Sequence, residues 1–134
     1  MDLRKKTEMI VVHCAATKPS MDIGASEIKK WHVDDNGWDD IGYHYIIKRG
    51  GLVEVGRPEA FQGAHAPAAN SKSIGICLVG GMSEDGDDEN NFTIEQFLSL
   101  KDLLKRLLMT NSNIQEIVGH CDIQDNKPNC PGFN

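Results

Sequence analysis

The sequence predicts an α/β domain in which helices pack on a mixed central β-sheet. Three observations predict this class. Short apolar segments typical of strands alternate with segments whose apolar residues recur at helical spacing. A strand, a long helix and another strand follow one another over residues 73–120, which predicts a right-handed crossover between parallel strands. A hairpin signal around Gly50-Gly51 adds an antiparallel pair, so the sheet should be mixed.

The first predicted element is a buried strand over residues 8–14, because this segment is short and rich in β-favouring apolar residues. It places His13 near its carboxyl end. A helix over residues 26–36 follows, since its apolar positions recur at helical spacing and Asn36-Gly37 is a typical helix stop. His32 lies on the apolar face of this helix, where we expect a structural role.

The hairpin is predicted over residues 43–55, where two β-favouring arms flank Gly50-Gly51. Tyr43 and His44 are neighbours in the first arm, so their side chains should face opposite sides. We therefore expect His44 to be structural if Tyr43 faces a functional site.

The second half of the chain contains the predicted crossover. Thr93-Ile-Glu-Gln96 has the form of a capping box, and apolar residues continue at helical spacing over 93–110. Short apolar strands at 73–79 and 116–120 flank this helix. Residues 83–91 are acidic and polar and predict a solvated loop.

The length and charge of the chain exclude several functional classes. A chain of 134 residues fits one domain, which we place at residues 1–134 with 1–8 as a short N-terminal tail. The net charge of −6 argues against general nucleic-acid binding or attachment to an anionic membrane, since both need a basic face. No apolar run approaches the ~20 residues that cross a bilayer. No signal-peptide core follows the basic start either, so we expect a cytoplasmic protein without membrane insertion.

The four cysteines of a cytoplasmic protein are expected to be thiols or metal ligands rather than disulfides. Cys14 shares a strand face with Val12, and Cys77 stands in an apolar strand, so both are interpreted as small buried hydrophobic residues. His13, His120 and Cys130 each end a strand or lie in a tight loop. Two imidazoles and a thiolate are a good zinc ligand set, which leaves the fourth tetrahedral position to water, as catalytic zinc sites do.

Five motifs stand in order along residues 9–133. They are Val12-His-Cys-Ala-Ala-Thr17, Gly42-Tyr-His-Tyr-Ile-Ile47, Gly63-Ala-His-Ala66, Ser73-Ile-Gly-Ile76 and Gly119-His-Cys-Asp-Ile123, the last followed by Cys130-Pro-Gly-Phe133. Together they resemble the zinc-dependent N-acetylmuramoyl-L-alanine amidases, in particular the amidase-type lysozymes of T-odd coliphages and, more distantly, the peptidoglycan recognition proteins. The resemblance implies the fold that these proteins share.

The resemblance also implies a reaction and a cofactor. Such enzymes hydrolyse the amide between the lactyl group of N-acetylmuramic acid and the L-alanine of the peptide stem in bacterial peptidoglycan. His13, His120 and Cys130 match the zinc-ligand positions of the family, which implies one Zn²⁺ per chain, and Tyr43 matches an active-site tyrosine. A bound zinc activates water and offsets the charge of an oxyanion, and a tyrosine hydroxyl can donate to that oxyanion.

Other residues match family positions that form the walls of the substrate cleft. His65 matches a histidine that lines the cleft, and Asn70 matches an asparagine that shapes a loop or touches the peptide stem. The family often has a catalytic lysine two residues before the last ligand, where this chain has Pro128. Pro128 biases the preceding Lys127 toward an extended conformation, and we expect the long Lys127 side chain still to reach the cleft.

The resemblance implies a monomeric phage-type endolysin, which acts on host peptidoglycan at lysis. Three alternatives stay open. The first is a peptidoglycan-binding module without activity, against which the presence of Cys130 argues. The second is an amidase-fold inhibitor of phage RNA polymerase, since some members of the family bind that enzyme. The third is a thiol hydrolase based on Cys14, which the opposite orientation of the adjacent His13 disfavours.

Overall fold

The computed structural model describes residues 1–122 of the chain. This range contains five strands and two α-helices. The strands are β1 (Met9–Cys14), β2 (Tyr45–Ile47), β3 (Val53–Val55), β4 (Ser73–Leu78) and β5 (Glu116–Gly119), and the helices are α1 (Ala25–Lys30) and α2 (Ile94–Thr110). A π-helical turn (Trp31–Asp35) and two 3-10 turns (Asn70–Lys72 and His120–Asp122) are also present.

The strands form one mixed sheet in the order β3-β2-β4-β1-β5, which confirms the predicted fold class. β1 lies between β4 and β5 and is parallel to both, and β2 is parallel to β4. β3 is antiparallel to β2, as the hairpin signal predicts. The connection from β4 through α2 to β5 joins parallel strands as expected. These two strands are not neighbours, because β1 lies between them.

Apolar side chains cover both faces of the sheet, since alternate residues of a strand point to opposite sides. On one face the buried residues of β1 and β4 pack against three leucines of α2, namely Leu100, Leu103 and Leu107. On the other face, smaller clusters around Val11 and Ile46 pack against α1 and the connecting loops. A fully buried Leu or Ile contributes roughly 1.5–3 kcal/mol. His13, His65 and His120 are not members of these clusters.

The predicted helix over residues 26–36 is confirmed in extent but changes character near its end. α1 gives way to the π-helical turn Trp31–Asp35, and Gly37 follows with φ of 73°. The wider turn brings His32 beside Trp38, with ring centroids 4.6 Å apart. His32 thereby leaves the purely apolar packing that helical periodicity predicts.

The helix predicted over 93–110 is confirmed as α2, with Thr93 as its N-cap. The capping box is formed in both directions, between the Thr93 hydroxyl and the Gln96 N–H and between the Gln96 side chain and the Thr93 N–H. The Gln96 amide also donates to the carbonyls of Ile47 and Val79, at 3.1 and 2.8 Å. This buried glutamine fixes the start of α2 against the ends of β2 and β4.

The N-terminal residues pack along the segment that leads to His65. Leu3 forms an isolated antiparallel bridge with Phe61, and the Arg4 guanidinium donates to the Glu59 carbonyl and the Thr7 hydroxyl. The tail predicted over residues 1–8 is thus joined to the domain. Residues 84–90 are exposed, which confirms the predicted solvated loop. Among the helices of residues 1–122, none has the length and apolar character that a membrane span requires.

Candidate active site

His13 and His120 meet at the carboxyl edge of the sheet. His13 lies near the end of β1, and His120 directly follows β5, the parallel neighbour of β1. Their Nδ1 atoms are 3.0 Å apart, and only 1% and 6% of the two residues is exposed. The Asp122 carboxylate accepts the Gly119 N–H at 2.8 Å, which holds the turn that carries His120.

His65 lies on the other side of the His13 ring. The His65 Nδ1 is 2.8 Å from the His13 Nε2, and the His65 Nε2 is 3.3 Å from the Ser73 hydroxyl. Burial is the main cause that lowers the pKa of His65 well below its usual value, so the ring is neutral at physiological pH. The three histidines form a continuous row, with His13 in the middle.

Tyr43 lies beside the histidine row, whereas His44 points away from the cleft as predicted. The Tyr43 ring centroid is 5.1 Å from that of His13 and 5.5 Å from that of His32. His44 is fully buried, accepts the Gly75 N–H at Nδ1 and donates from Nε2 to the Phe61 carbonyl. Burial lowers the pKa of His44 to about 4, so its role is structural.

Tyr43, His65 and His120 face an open cleft of about 290 Å³. The cleft brings together four of the predicted site residues, which are Tyr43, His65, Asn70 and His120. The Asn70 Oδ1 accepts the backbone N–H groups of His65 and Ala66, at 3.0 and 2.8 Å. Asn70 therefore shapes the loop that carries His65.

The cleft also has two aromatic wall residues that sequence reasoning missed, His32 and Trp38. The His32 Nδ1 accepts the Gly42 N–H at 2.9 Å, which places the ring against the segment leading to Tyr43. Burial first, and then the charge of Arg57, lower the pKa of His32. The only signal for Trp38 in the sequence is its position after the helix stop at Gly37, which does not specify a cleft.

The facing nitrogens of His13 and His120 suit a shared metal ion. Two tetrahedral Zn–N bonds of 2.0–2.1 Å place their nitrogens roughly 3.3 Å apart, close to the 3.0 Å observed. Within residues 1–122, no group of three His, Cys, Asp or Glu side chains could hold a metal. A third protein ligand would come from the remaining residues. The predicted ligand Cys130 and the predicted catalytic Lys127 lie outside the described residues.

The other cysteines differ in their surroundings. Cys77 is fully buried in β4, and this burial raises the pKa of its thiol well above the usual value. Cys14 is partly buried at the end of β1, where it packs against Gly81. Because Cys14 follows His13 directly in the strand, the two side chains point to opposite faces. This arrangement argues against a hydrolase that uses Cys14 and His13 together.

Comparisons with known proteins identify the family of the chain. Residues 3–133 match the family model described as N-acetylmuramoyl-L-alanine amidase. The endolysin of Enterobacteria phage T3 is 47% identical over 131 residues, which are 98% of this chain and 84% of the phage protein. The endolysin of Escherichia phage T7 is 52% identical over 105 residues, which are 78% of this chain and 69% of the phage protein.

A solved structure is similar over the whole fold. It is the endolysin N-acetylmuramoyl-L-alanine amidase LysCS from Clostridium intestinale, with a TM-score of 0.82 and 31% identity. The match covers 99% of this chain and 80% of LysCS. The chain therefore belongs to the N-acetylmuramoyl-L-alanine amidase family and is an amidase similar to phage endolysins.

Proposed function

We propose that this amidase depends on zinc held by His13, His120 and Cys130. The observation that carries the proposal is the pair of buried imidazoles whose Nδ1 atoms face each other at 3.0 Å at the edge of the cleft. The donor types support it, because two imidazoles and one thiolate form a zinc site with an open fourth position. The assignment of Cys130 to this set rests on the sequence alone.

The residues of the chain have separate tasks in the proposed hydrolysis of the amide between N-acetylmuramic acid and L-alanine. A bound zinc supplies a Lewis acid and lowers the pKa of water to about 7. The Tyr43 hydroxyl donates a hydrogen bond to the amide oxygen as negative charge develops there. Lys127 is proposed to add a positive charge at the same oxygen. Both groups stabilise the transition state more than the bound substrate.

The cleft supports the proposed binding of the peptide stem. None of the hydrogen bonds within residues 1–122 uses the Asn70 Nδ2, so we propose that this group donates to a peptide carbonyl. Both His65 ring nitrogens face protein groups, so His65 would contact the stem through its ring carbons. Trp38 is 38% exposed and forms an apolar wall of the same cleft.

The similar phage proteins are endolysins, which supports a role in host lysis. We propose that the enzyme is made in the host cytoplasm and reaches the cell wall at lysis. Binding to phage RNA polymerase and a monomeric state stay predictions of the family resemblance. Co-purification with the polymerase and light scattering of the purified chain, respectively, test them.

The proposed function is tested on purified bacterial cell walls, with zinc content measured alongside. Wild-type protein should clear the suspension and expose new L-alanine amino groups while glycan strands stay intact. A chelator should abolish this release, and added zinc should restore it. His13→Ala should lose activity and zinc, whereas Cys14→Ala is the matched control from the opposite face and should keep most of both. Undiminished hydrolysis by zinc-free protein would contradict the proposal, and wall binding without hydrolysis would favour the non-catalytic alternative.

A further inference from the structure

A row of hydrogen-bonding groups leads from the backbone of residue 69 to His13. The Ser73 hydroxyl lies 2.7 Å from the Ala69 carbonyl oxygen and 3.3 Å from the His65 Nε2. The His65 Nδ1 lies 2.8 Å from the His13 Nε2. We call these four groups the relay. Its side chains are buried, with Ser73 fully enclosed and 8% of His65 exposed.

The relay has a direction, because the carbonyl at its start can only accept. Ser73 has a single hydroxyl proton, which it donates to Ala69. The Ser73 oxygen therefore accepts from the Nε2–H of His65. A neutral imidazole carries one proton, so the His65 Nδ1 is an acceptor and receives the Nε2–H of His13. This order places the lone pair of a neutral His13 on Nδ1, the atom that faces His120.

Two glycines make room for the His65 ring. A Cβ at Gly75 would lie 2.6 Å from the His65 Cγ, and a Cβ at Gly63 would lie 2.6 Å from its Cδ2. Asn70 holds the His65 backbone N–H at 3.0 Å. The ring is therefore held in one position.

We propose that the relay selects the His13 tautomer with its proton on Nε2, and that His65 and Ser73 thereby prepare His13 to bind zinc through Nδ1. In protein metal sites, the hydrogen bond at one ring nitrogen sets which nitrogen binds the metal. The inference rests on the zinc dependence proposed above. It goes further by making His65 and Ser73 positioning residues for the metal ligand.

The first test reads the tautomer in zinc-free protein. The full chain is labelled with ¹⁵N-histidine and stripped of metal with a chelator, and long-range ¹H–¹⁵N correlations identify the protonated nitrogen of each ring. In their neutral form, His13 and His65 should both be protonated on Nε2. Ser73→Ala should mix the tautomers of both rings. A wild-type His13 protonated on Nδ1, or a Ser73→Ala variant with unchanged tautomers, would overturn the relay.

The second test measures zinc affinity by competition with a chromophoric chelator. His65→Leu and His65→Asn form a matched pair, because the side chains have similar shapes but only Asn has an oxygen near the position of the His65 Nδ1. His65→Leu and Ser73→Ala should bind zinc about 10–100-fold more weakly than wild type, whereas His65→Asn should retain more affinity. Circular dichroism checks that each variant is folded.

The outcomes separate the relay from the proposed function. The wild type could bind zinc while His65→Leu and His65→Asn bind it with the same affinity as each other. This result would overturn the relay and leave zinc dependence standing. A wild-type chain that binds no zinc would overturn the zinc dependence and with it the metal-binding part of the relay. If His65→Leu fails to fold, Ser73→Ala and the wild-type tautomer decide the question.

Discussion

Tyr43 and Tyr45 are the two tyrosines of the chain, and their side chains have different surroundings. The Tyr43 ring stands 5.1 Å from that of His13 in the cleft wall. The Tyr45 hydroxyl donates to the Glu59 carboxylate at 2.5 Å, and burial first and this bond second raise the pKa of Tyr45 to about 12. The pair therefore offers a catalytic candidate and a structural control.

We predict that Tyr43→Phe lowers turnover on purified walls about 10²–10³-fold, the usual effect of losing one donor to a developing oxyanion. Zinc content should stay near wild type, because the ring remains beside His13. Tyr45→Phe should keep turnover and lose about 1 kcal/mol of unfolding free energy, measured by urea titration. Equal turnover in the two variants would exclude a catalytic role for the Tyr43 hydroxyl.

His44 gives a prediction about pH. Its folded pKa of about 4 lies below the unfolded value of 6.5, so the unfolded chain binds more protons between these pH values. Stability should therefore rise with pH across this window and fall by about 3 kcal/mol from neutral pH to about pH 4. The lowered pKa of His65 changes stability with pH in the same direction. Urea unfolding of zinc-free protein measures this change without metal release, and a flat profile over the window would show that His44 is protonated in the fold.

The positions of individual site residues could be predicted where a strand end determines them. His13 and His120 come together because β1 and β5 are parallel neighbours, and their carboxyl ends meet at one edge. The inward direction of His13 follows from strand alternation. The burial of His65 between His13 and Ser73 could not be predicted, since it depends on the close approach of Gly63 and Gly75 in three dimensions.

At the scale of elements, one arginine joins two segments of the cleft wall. Arg57 follows β3 and is 6% exposed. Its guanidinium donates to the carbonyls of Ile41 and Gln62 at 2.8 Å and of Asp40 at 3.2 Å. The Arg57 N–H also donates to the Tyr43 carbonyl at 2.9 Å. This residue thus connects the segment before Tyr43 with the segment before His65.

We predict that Arg57→Lys lowers turnover mainly through Tyr43, because lysine lacks the planar fork that reaches three carbonyls. The loss should be at least tenfold in the wild-type background and much smaller in Tyr43→Phe, as a double-mutant cycle measures. Arg49→Lys is the matched control, since Arg49 binds Asn91 rather than the cleft segments. Equal losses in both backgrounds would show that Arg57 does not act through Tyr43.

Local patterns predict most elements of the fold but not the π-helical conformation at the end of the first helix. The short apolar run of β4 and the capping box of α2 are properties of short segments, so the sequence is enough to locate them. The π-helical turn Trp31–Asp35 brings His32 against Trp38 and Gly42, and these contacts are tertiary. Helical periodicity therefore placed His32 in the core, whereas the structure places it in the cleft wall.

For the whole molecule, the core and the site are separate. The main apolar cluster lies between the sheet and α2, whereas the three residues of the histidine row are not part of this cluster. We predict that zinc removal leaves the far-ultraviolet circular dichroism unchanged while activity is lost. Zinc should raise the melting temperature, because it binds the folded state in preference. Unfolding on chelation, as small zinc fingers show, would contradict this separation.

The ligand set of the metal is the central claim, and zinc K-edge X-ray absorption of the purified full chain tests it most directly. We predict one zinc per chain with two imidazole nitrogens at about 2.0–2.1 Å, one sulfur at about 2.3 Å and one oxygen from water. Cys130→Ser should remove the sulfur shell, whereas Cys14→Ser should keep it. A zinc shell without sulfur, or a sulfur shell that survives in Cys130→Ser, would contradict the assignment of His13, His120 and Cys130.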